Sequence, residues 1–178
     1  DEYWVDADSR PDNLPEPLSE FSGDWHDEKE SAVEYDRKLG AYVVRHRARK
    51  QRAQYGVASV LGRWLIPLGH YYIDTNRYDD HAKRGWIVVT RMLDAKATPA
   101  DEGRRVSALF DANGVACLPF AYEALDTVGD KLAYFRTQED YRAGNRCYRL
   151  MRLDTGAVLE GEFNDRLFSA RGRGYIQI

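Results

Sequence analysis

Four glycines recur along this chain at a nearly constant interval. Gly40, Gly85, Gly129 and Gly174 are separated by 45, 44 and 45 residues, and each begins a short segment rich in apolar residues. A period of this length is typical of repeat proteins, in which each repeat is one supersecondary unit that packs on its neighbours. The spacing therefore predicts repeated β units. It also indicates that conspicuous single residues have structural and not catalytic roles.

A series of prolines supports the same division of the chain. Pro15, Pro67 and Pro119 lie 52 residues apart, and each follows an apolar segment and a turn. Before Pro119, the pair Asn113-Gly114 predicts a two-residue hairpin turn, because both central positions of that turn need positive φ. We expect four antiparallel meander units in a single domain, 1–178. The units occupy residues 1–46, 53–92, 104–137 and 145–178.

The aromatic content favours strands over helices. The chain contains 12 Tyr, 4 Trp and 6 Phe, residue types that are enriched in strands. The predicted fold class is all-β. A propeller-like meander is the first choice, and a closed barrel or a sandwich built from the same hairpins is the alternative. Consecutive units should pair, as in 43–45 with 55–59 and 132–135 with 147–151. The segment 27–38 is the main candidate for a short helix.

The residues around Pro67 resemble a known bacterial repeat. An aromatic-Gly pair, an apolar strand, a tight turn, a second strand ending in Pro and a later aromatic residue resemble the WG repeat. Tyr55-Gly56 stand at the Trp-Gly of that motif, and Tyr71 and Tyr122 stand at its aromatic position. The resemblance covers nearly the whole chain as four degenerate copies. It implies β-repeat modules, often in exported proteins, that bind partners and have no fixed catalytic site. We expect no cofactor.

Charge is distributed unevenly along the chain. Residues 1–36 contain 13 acidic and 2 basic side chains, although the net charge of the whole chain is only −3. We expect this acidic segment to be neutralised by the basic remainder, and two oppositely charged faces for a charged partner are the alternative. The basic stretch 45–52 lacks interleaved aromatic residues, so we expect an exposed turn there and no nucleic-acid partner.

The N-terminus and the hydropathy pattern bear on localisation. The sequence begins with Asp1, which fits a mature protein after signal cleavage, and we expect a periplasmic or secreted location. No apolar run reaches the length of a membrane span, so no membrane span is expected.

Two inserts depart from the repeat pattern and are the predicted binding surface for another protein. Loops on a rigid β scaffold often carry binding, and Tyr is enriched at interface hot spots. The first insert, 69–81, has two histidines eleven residues apart, a spacing that matches no metal motif, so no metal is expected. The candidate binding residues of this insert are His70, Tyr71, Tyr72, Tyr78, Asp79, Asp80 and His81. Those of the second insert, 94–104, are Lys96, Thr98, Asp101 and Glu102.

The two cysteines are a candidate disulfide. Cys117 lies at the end of a strand in the third unit, and Cys147 begins the fourth unit. Adjacent units and an oxidising compartment make a bridge feasible, while two buried thiols are the alternative.

Catalytic motifs are absent from the sequence, and we do not expect an enzyme. There is no Gly-x-Ser-x-Gly, His-Glu-x-x-His, Cys-x-x-Cys or phosphate loop. The leading hypothesis is an exported immunity or inhibitor protein that blocks the active site of a toxin or enzyme with a loop. A non-catalytic, envelope-associated structural module is the alternative. A hydrolase that uses the His- and Asp-rich insert is the third hypothesis.

Overall fold

The computed structural model of the chain describes residues 13–92, 104–159 and 161. In this part of the chain, 50% of the residues lie in strands and 8% in helices. The predicted all-β class is therefore confirmed. Two short helices are present among these residues, a 3-10 helix at Glu16–Phe21 and α1 at Gln138–Arg142.

Ten strands follow one another as an antiparallel meander in the described residues. They form two sheets, which we call the small sheet and the large sheet. The small sheet contains four strands in sequence order, and the large sheet contains six. The small sheet consists of β1 (Ala32–Asp36), β2 (Ala41–His46), β3 (Gln54–Ser59) and β4 (Trp64–Gly69). The large sheet consists of β5 (Tyr71–Thr75), β6 (Trp86–Met92), β7 (Arg105–Asp111), β8 (Ala116–Val128), β9 (Leu132–Thr137) and β10 (Arg149–Arg152).

The sheets are open, and their division does not follow four repeated units. In the described part of the chain, β1 and β4 are the edges of the small sheet, and β5 and β10 are the edges of the large sheet. No closed barrel is found there. The break between the sheets falls at His70, inside the predicted unit 53–92. The equally spaced glycines also differ in role, since Gly40 and Gly129 have positive φ and Gly85 does not.

The predicted helix at 27–38 is wrong, because part of it forms β1. The side chains of Val33 and Tyr35 pack on one face of the small sheet, in an apolar cluster with the 3-10 helix residues Leu18 and Phe21. This tertiary packing outweighs the helical preference of the charged residues in the segment. A strand at 32–36 also completes the pairing with β2, in which Tyr35 lies opposite Tyr42.

The predicted hairpin at Asn113-Gly114 exists, but its turn differs from the prediction. The main-chain amide of Asp111 donates to the carbonyl of Val115, so the loop contains three residues instead of two. Gly114 alone has positive φ, at 78°. The carboxylate of Asp111 accepts hydrogen bonds from the amides of Asn113 and Val115, at 2.9 and 3.0 Å. Such a loop is a type I turn followed by a left-handed glycine.

Apolar clusters lie on both sides of the large sheet. One cluster joins the two sheets, with Leu39, Val57 and Ile66 of the small sheet packed on Ile87 and Val89 of β6. Another cluster packs within the large sheet alone. Its buried members are Trp86, Val88, Leu109, Leu125, Ala133, Phe135 and Met151. Because both faces of β6 are covered, this central strand is held by packing on both sides, and the side chains that project from the large sheet have a fixed support.

Candidate functional site

A cleft of about 520 Å³ opens on the large sheet and is the candidate functional site. It extends from the edge strand β5 across β6 and β7 to β8 and β9, so neighbouring strands supply its walls. Its volume lies within the range of roughly 300–1,000 Å³ that is usual for ligand sites. Twelve residues line the cleft, namely Tyr72, Asp74, Val88, Thr90, Met92, Arg105, Ser107, Ala124, Leu125, Asp126, Tyr134 and Tyr148.

Alternation along the strands explains how the first wall of the cleft arises. In β5, Tyr71 and Ile73 pack into the cluster between the sheets, while Tyr72 and Asp74 are exposed and line the cleft. Tyr72 pairs with Thr90 of β6, and Thr90 pairs with Ser107 of β7. The hydroxyls of Thr90 and Ser107 are 2.7 Å apart and share a hydrogen bond. The cleft floor is therefore polar at its centre and aromatic at its edge.

Aromatic and acidic side chains form the opposite wall. The hydroxyl of Tyr134 donates to Asp126 Oδ2 at 3.1 Å, which holds the carboxylate beside the ring. The rings of Tyr134 and Tyr148 meet edge to face, with centroids 5.4 Å apart. The guanidinium of Arg136 lies over the Tyr148 ring, 5.2 Å from its centroid. These contacts restrict the orientation of both rings before any ligand arrives.

A buried carboxylate lies next to Arg105, one of the lining residues. Glu123 is 4% exposed, and its Oε2 accepts from Nε of Arg136 at 2.7 Å. The other oxygen, Oε1, lies 3.7 Å from Nε of Arg105, which lines the cleft. The charge of Arg105 is therefore opposed by Glu123. Among the lining residues, the carboxylates of Asp74 and Asp126 outnumber the single guanidinium.

The structure divides the predicted binding residues of the insert 69–81 among different surroundings. Tyr72 lines the cleft, whereas Tyr71 stacks on Phe120 in the cluster between the sheets, with ring centroids 6.3 Å apart. Tyr78 is 72% exposed, outside the cleft lining, and the guanidinium of Arg77 lies 4.9 Å from its ring centroid. These tyrosines therefore do not form one patch.

The remaining predicted residues of this insert lie outside the cleft lining. His70 precedes β5, while Asp80 and His81 are exposed in the loop after it. Asp79 has a structural role, since its carboxylate accepts from the amides of His81 and Gly129 at 2.9 and 2.7 Å. Among residues 13–92, 104–159 and 161, no group of three or more His, Cys, Asp or Glu is placed to hold a metal ion.

The predicted binding residues of the second insert fall outside the described residues. These are Lys96, Thr98, Asp101 and Glu102. Met92 and Arg105, which line the cleft, are close in sequence to both ends of this undescribed segment, 93–103.

Both cysteines are free thiols, and the topology separates them. Cys117 is exposed near the start of β8, and Cys147 is half-buried before β10. In the large sheet, β9 lies between β8 and β10. Cys117 also lies in the first part of β8, where Leu118 pairs with Leu109 of β7. Strand β9 pairs with the later part of β8, from Tyr122 onwards. The predicted bridge is therefore not formed in the structure, because β9 separates β8 from β10 even though the two predicted units are adjacent in sequence.

The basic stretch 45–52 also differs from its prediction at one residue. Arg45 is only 4% exposed, and its guanidinium donates to the main-chain carbonyls of Asp24, Trp25, Asp27 and Glu30. Part of the acidic segment, 24–30, thus contacts a basic residue, but through its main-chain carbonyls and not through the carboxylates whose neutralisation was expected. His46 ends β2, and residues 47–52 follow it as a turn region.

Sequence reasoning missed most of the cleft. Apart from Tyr72, none of its lining residues was a candidate, including Asp126, Tyr134 and Tyr148. The signal was the period-2 alternation of polar residues in adjoining strands, for example Tyr72 and Asp74 in β5 and Arg105 and Ser107 in β7. With the hairpin registers, that alternation would have indicated a polar surface shared by the strands.

Comparisons with protein-family models, with curated proteins and with solved structures give no match to this chain. In the described residues, no helix is long and apolar enough to cross a membrane.

Proposed function

We propose that this chain is an exported, non-catalytic protein-binding module of the WG-repeat type that receives a segment of its partner in the cleft of the large sheet. In its most specific form, the module is a periplasmic immunity or inhibitor protein, and the partner is a toxin or another secreted enzyme. The observation that carries the proposal is the open cleft, in which tyrosines and charged side chains converge on strands with a packed core behind them.

The rigidity of the lining supports binding. Tyr134, Tyr148 and Asp126 are held by contacts to one another, and Thr90 is held by Ser107. A preorganised site loses less conformational freedom when it binds, so more of the contact free energy appears as affinity. Tyrosine also contributes a large contact area at a small entropic cost, which is why it is enriched in binding surfaces.

In this proposal the partner inserts into this chain, whereas the sequence led us to expect that this chain inserts into its partner. The sequence suggested that a loop of this chain enters a cleft of its partner. In the described residues, the concave surface belongs to this chain, and only Tyr72 of the exposed tyrosines in the insert 69–81 lines it. A convex element of the partner therefore matches this surface better than a second cleft would.

The proposal is tested by capture of partners with matched variants. Immobilised parent protein, Tyr72→Ala and Tyr78→Ala are each incubated with periplasmic extract of the source cells. Both tyrosines are exposed and lie in the same insert, but Tyr72 alone lines the cleft. We expect one specific protein to be captured by the parent and by Tyr78→Ala, and to be lost with Tyr72→Ala.

Two outcomes would contradict the proposal. If Tyr72→Ala captures the protein as well as the parent does, the cleft is not the binding surface. If loss occurs with Tyr78→Ala instead, the partner contacts the loop after β5. Thermal unfolding of each variant checks that the fold is intact, and little change is expected because both side chains are largely exposed.

A further inference from the structure

We infer that the cleft recognises a tyrosine side chain presented by the partner protein. This inference rests on the proposed function and adds the chemistry of the group that enters the site. It is carried by three features of the lining. These are an exposed set of side chains that suits an aromatic ring, a pair of hydroxyls next to that set, and a mixture of charges that suits an uncharged ligand.

Three exposed side chains from neighbouring strands lie at the opening of the cleft, and we call them the rim. They are Tyr72 of β5, Met92 of β6 and Arg105 of β7. Met92 pairs directly with Arg105, and Tyr72 lies opposite Thr90, two residues before Met92 on the same side of β6. Aromatic residues, methionine and arginine are the types that are enriched in protein interfaces. The rim is therefore the part of the cleft best suited to first contact with a partner.

Each side chain of the rim can make a favourable contact with an aromatic ring. A guanidinium packs over the face of a ring, a thioether sulfur contacts its edge, and a second ring meets it edge to face. Arg105 can make such a contact, because the carboxylate beside it, Glu123, is 3.7 Å away and is held by Arg136 at 2.7 Å. The lining ring of Tyr148 is already packed in this way, under Arg136 and edge to face with Tyr134.

A pair of hydroxyls next to the rim matches the polar end of a tyrosine. Thr90 Oγ1 and Ser107 Oγ lie on paired residues of β6 and β7 and are 2.7 Å apart. Their shared hydrogen bond uses one of the two hydroxyl protons, so the pair keeps one donor and several acceptor lone pairs. A phenolic hydroxyl can accept from that donor and donate to a lone pair, whereas an indole can only donate and a phenyl ring can do neither.

The spacing between the rim and the hydroxyls fits the length of a tyrosine side chain. Residues on one face of a strand lie two positions apart, which is about 6.5–7 Å. Thr90 is two residues from Met92, and Ser107 is two residues from Arg105, so the hydroxyl pair is one such step away. This step is close to the distance from the β-carbon of tyrosine to its hydroxyl oxygen. One step further along β6, Val88 is only 6% exposed, so the cleft deepens in that direction.

The charges of the lining suit an uncharged ligand. Asp74 and Asp126 both make interactions within the chain, and Arg105 has the opposite charge. The lining therefore does not select a cation or an anion, and a charged side chain would meet groups of its own sign. A tyrosine side chain is uncharged at pH 7 and meets no such repulsion. The volume of about 520 Å³ accommodates an aromatic side chain with its adjoining backbone.

The inference is tested with three blocked peptides in an NMR titration of ¹⁵N-labelled protein. The probes are Ac-Gly-Tyr-Gly-NH₂, Ac-Gly-Phe-Gly-NH₂ and Ac-Gly-Leu-Gly-NH₂. We expect saturable shifts with the tyrosine peptide, with a Kd on the order of 1 mM, as befits one side chain. The shifts should fall at the amides of Tyr72, Thr90, Met92, Arg105 and Ser107. The phenylalanine peptide should bind about tenfold more weakly, which corresponds to about 1.4 kcal/mol, and the leucine peptide should give no saturable shift.

A double variant tests the role of the hydroxyl pair. Thr90→Val/Ser107→Ala removes both hydroxyls together, so neither is left without a partner and the fold should be retained. We expect the Kd of the tyrosine peptide to rise about tenfold, to that of the phenylalanine peptide, whose own Kd should not change. The amide spectrum of the variant checks that the fold is intact, and the comparison of the peptides on the parent protein does not depend on the variant.

A second variant tests the contact between the guanidinium and the ring. Arg105→Gln should raise the Kd of the tyrosine and phenylalanine peptides alike, by about threefold or more, because the attraction of the cation for the ring is lost. Arg63→Gln is the matched control, since Arg63 is exposed in the turn between β3 and β4 and does not line the cleft. Both Kd values should equal those of the parent in this control.

Several results would overturn the inference. These are equal Kd values for the tyrosine and phenylalanine peptides, no saturable shift with the tyrosine peptide below about 20 mM, or an unchanged Kd in Thr90→Val/Ser107→Ala. Shifts at the same amides with cellobiose, and none with the tyrosine peptide, would show that the cleft is a glycan site instead. The proposed function is judged separately. Loss of partner capture in Tyr72→Ala without binding of the tyrosine peptide would support protein binding and overturn this inference alone.

Discussion

The main-chain amide of Gly85 donates a 3.0 Å hydrogen bond to the carbonyl of Lys38, which joins the loop before β6 to the β1–β2 hairpin. The side chain of Lys38 extends the same contact, since its ammonium donates to the carbonyls of Asn76 and Asp79. Thr75 Oγ1 adds a 2.6 Å hydrogen bond to the carboxylate of Asp36. This set of contacts holds the two sheets together next to the cluster that they share.

The close approach at Gly85 leads to a first prediction. A β-carbon at Gly85 would lie 2.3 Å from Leu39 Cδ2 and 2.8 Å from Leu39 Cα, so the backbone itself would have to move. We expect Gly85→Ala to lower the free energy of unfolding by about 1–3 kcal/mol, as overpacking does. Urea unfolding measures the loss.

A double-mutant cycle identifies the cause of that loss. If the clash is with Leu39, the combined loss in Gly85→Ala/Leu39→Ala should be smaller than the sum of the single losses. Strict additivity, or a Gly85→Ala variant as stable as the parent, would contradict the packing shown here.

The buried guanidinium of Arg45 leads to a second prediction. It holds the loop 24–30 by donating to four main-chain carbonyls, and the shortest of these hydrogen bonds, to Asp27, is 2.6 Å. Arg45→Met removes all four donated bonds and should cost about 3 kcal/mol or more, because a hydrogen bond to a charged group contributes about 1.5–3 kcal/mol. Arg47→Met, at an exposed position two residues later, is the control and should change stability by at most about 0.5 kcal/mol. Equal losses in the two variants would argue against this role for Arg45.

The carboxylate of Asp140 leads to a prediction about pH. Burial raises the pKa of Asp140, but hydrogen bonds from Thr137 and Arg149 outweigh that effect and hold the pKa below its ordinary value. The stability from this carboxylate is therefore fully present above the unfolded pKa of about 3.9 and is lost as the pH falls through the lower folded pKa. We expect Asp140→Asn to lower Tm at pH 7, with the difference from the parent shrinking below about pH 4. Melting curves between pH 7 and pH 2 test this, and a difference that stays constant would refute it.

The free thiols lead to a fourth prediction. Thiol counting on denatured protein that has never been reduced should give two thiols per chain, since Cys117 and Cys147 are not bonded. In the folded protein, burial and the nearby Asp111 raise the pKa of the Cys117 thiol, so it should react slowly with a disulfide reagent at pH 7 despite its exposure. A count of zero would show that the two thiols are bridged after all.

Local pairing was predictable because a hairpin depends on residues that are close in sequence. The pairing of 43–45 with 55–59 is confirmed, with Val43 opposite Val57, and so is the pairing of 132–135 with 147–151, with Phe135 opposite Arg149. The turn after Asp111 shows the limit of such reasoning. The sequence marked its position, but the side chain of Asp111 selected a three-residue loop by accepting two amide hydrogen bonds.

By itself, the sequence determined that the chain is rich in strands, where several hairpins form and that an exposed tyrosine lies in the insert 69–81. Only the tertiary structure decided that the meander divides after β4 and that the large sheet holds a cleft. Tyr71 and Tyr72 illustrate the difference, since one packs between the sheets and its neighbour lines the cleft. The alternation of a strand separates the two side chains, but which face becomes core depends on the second sheet. That choice is made by contacts between residues far apart in sequence, which no local pattern records.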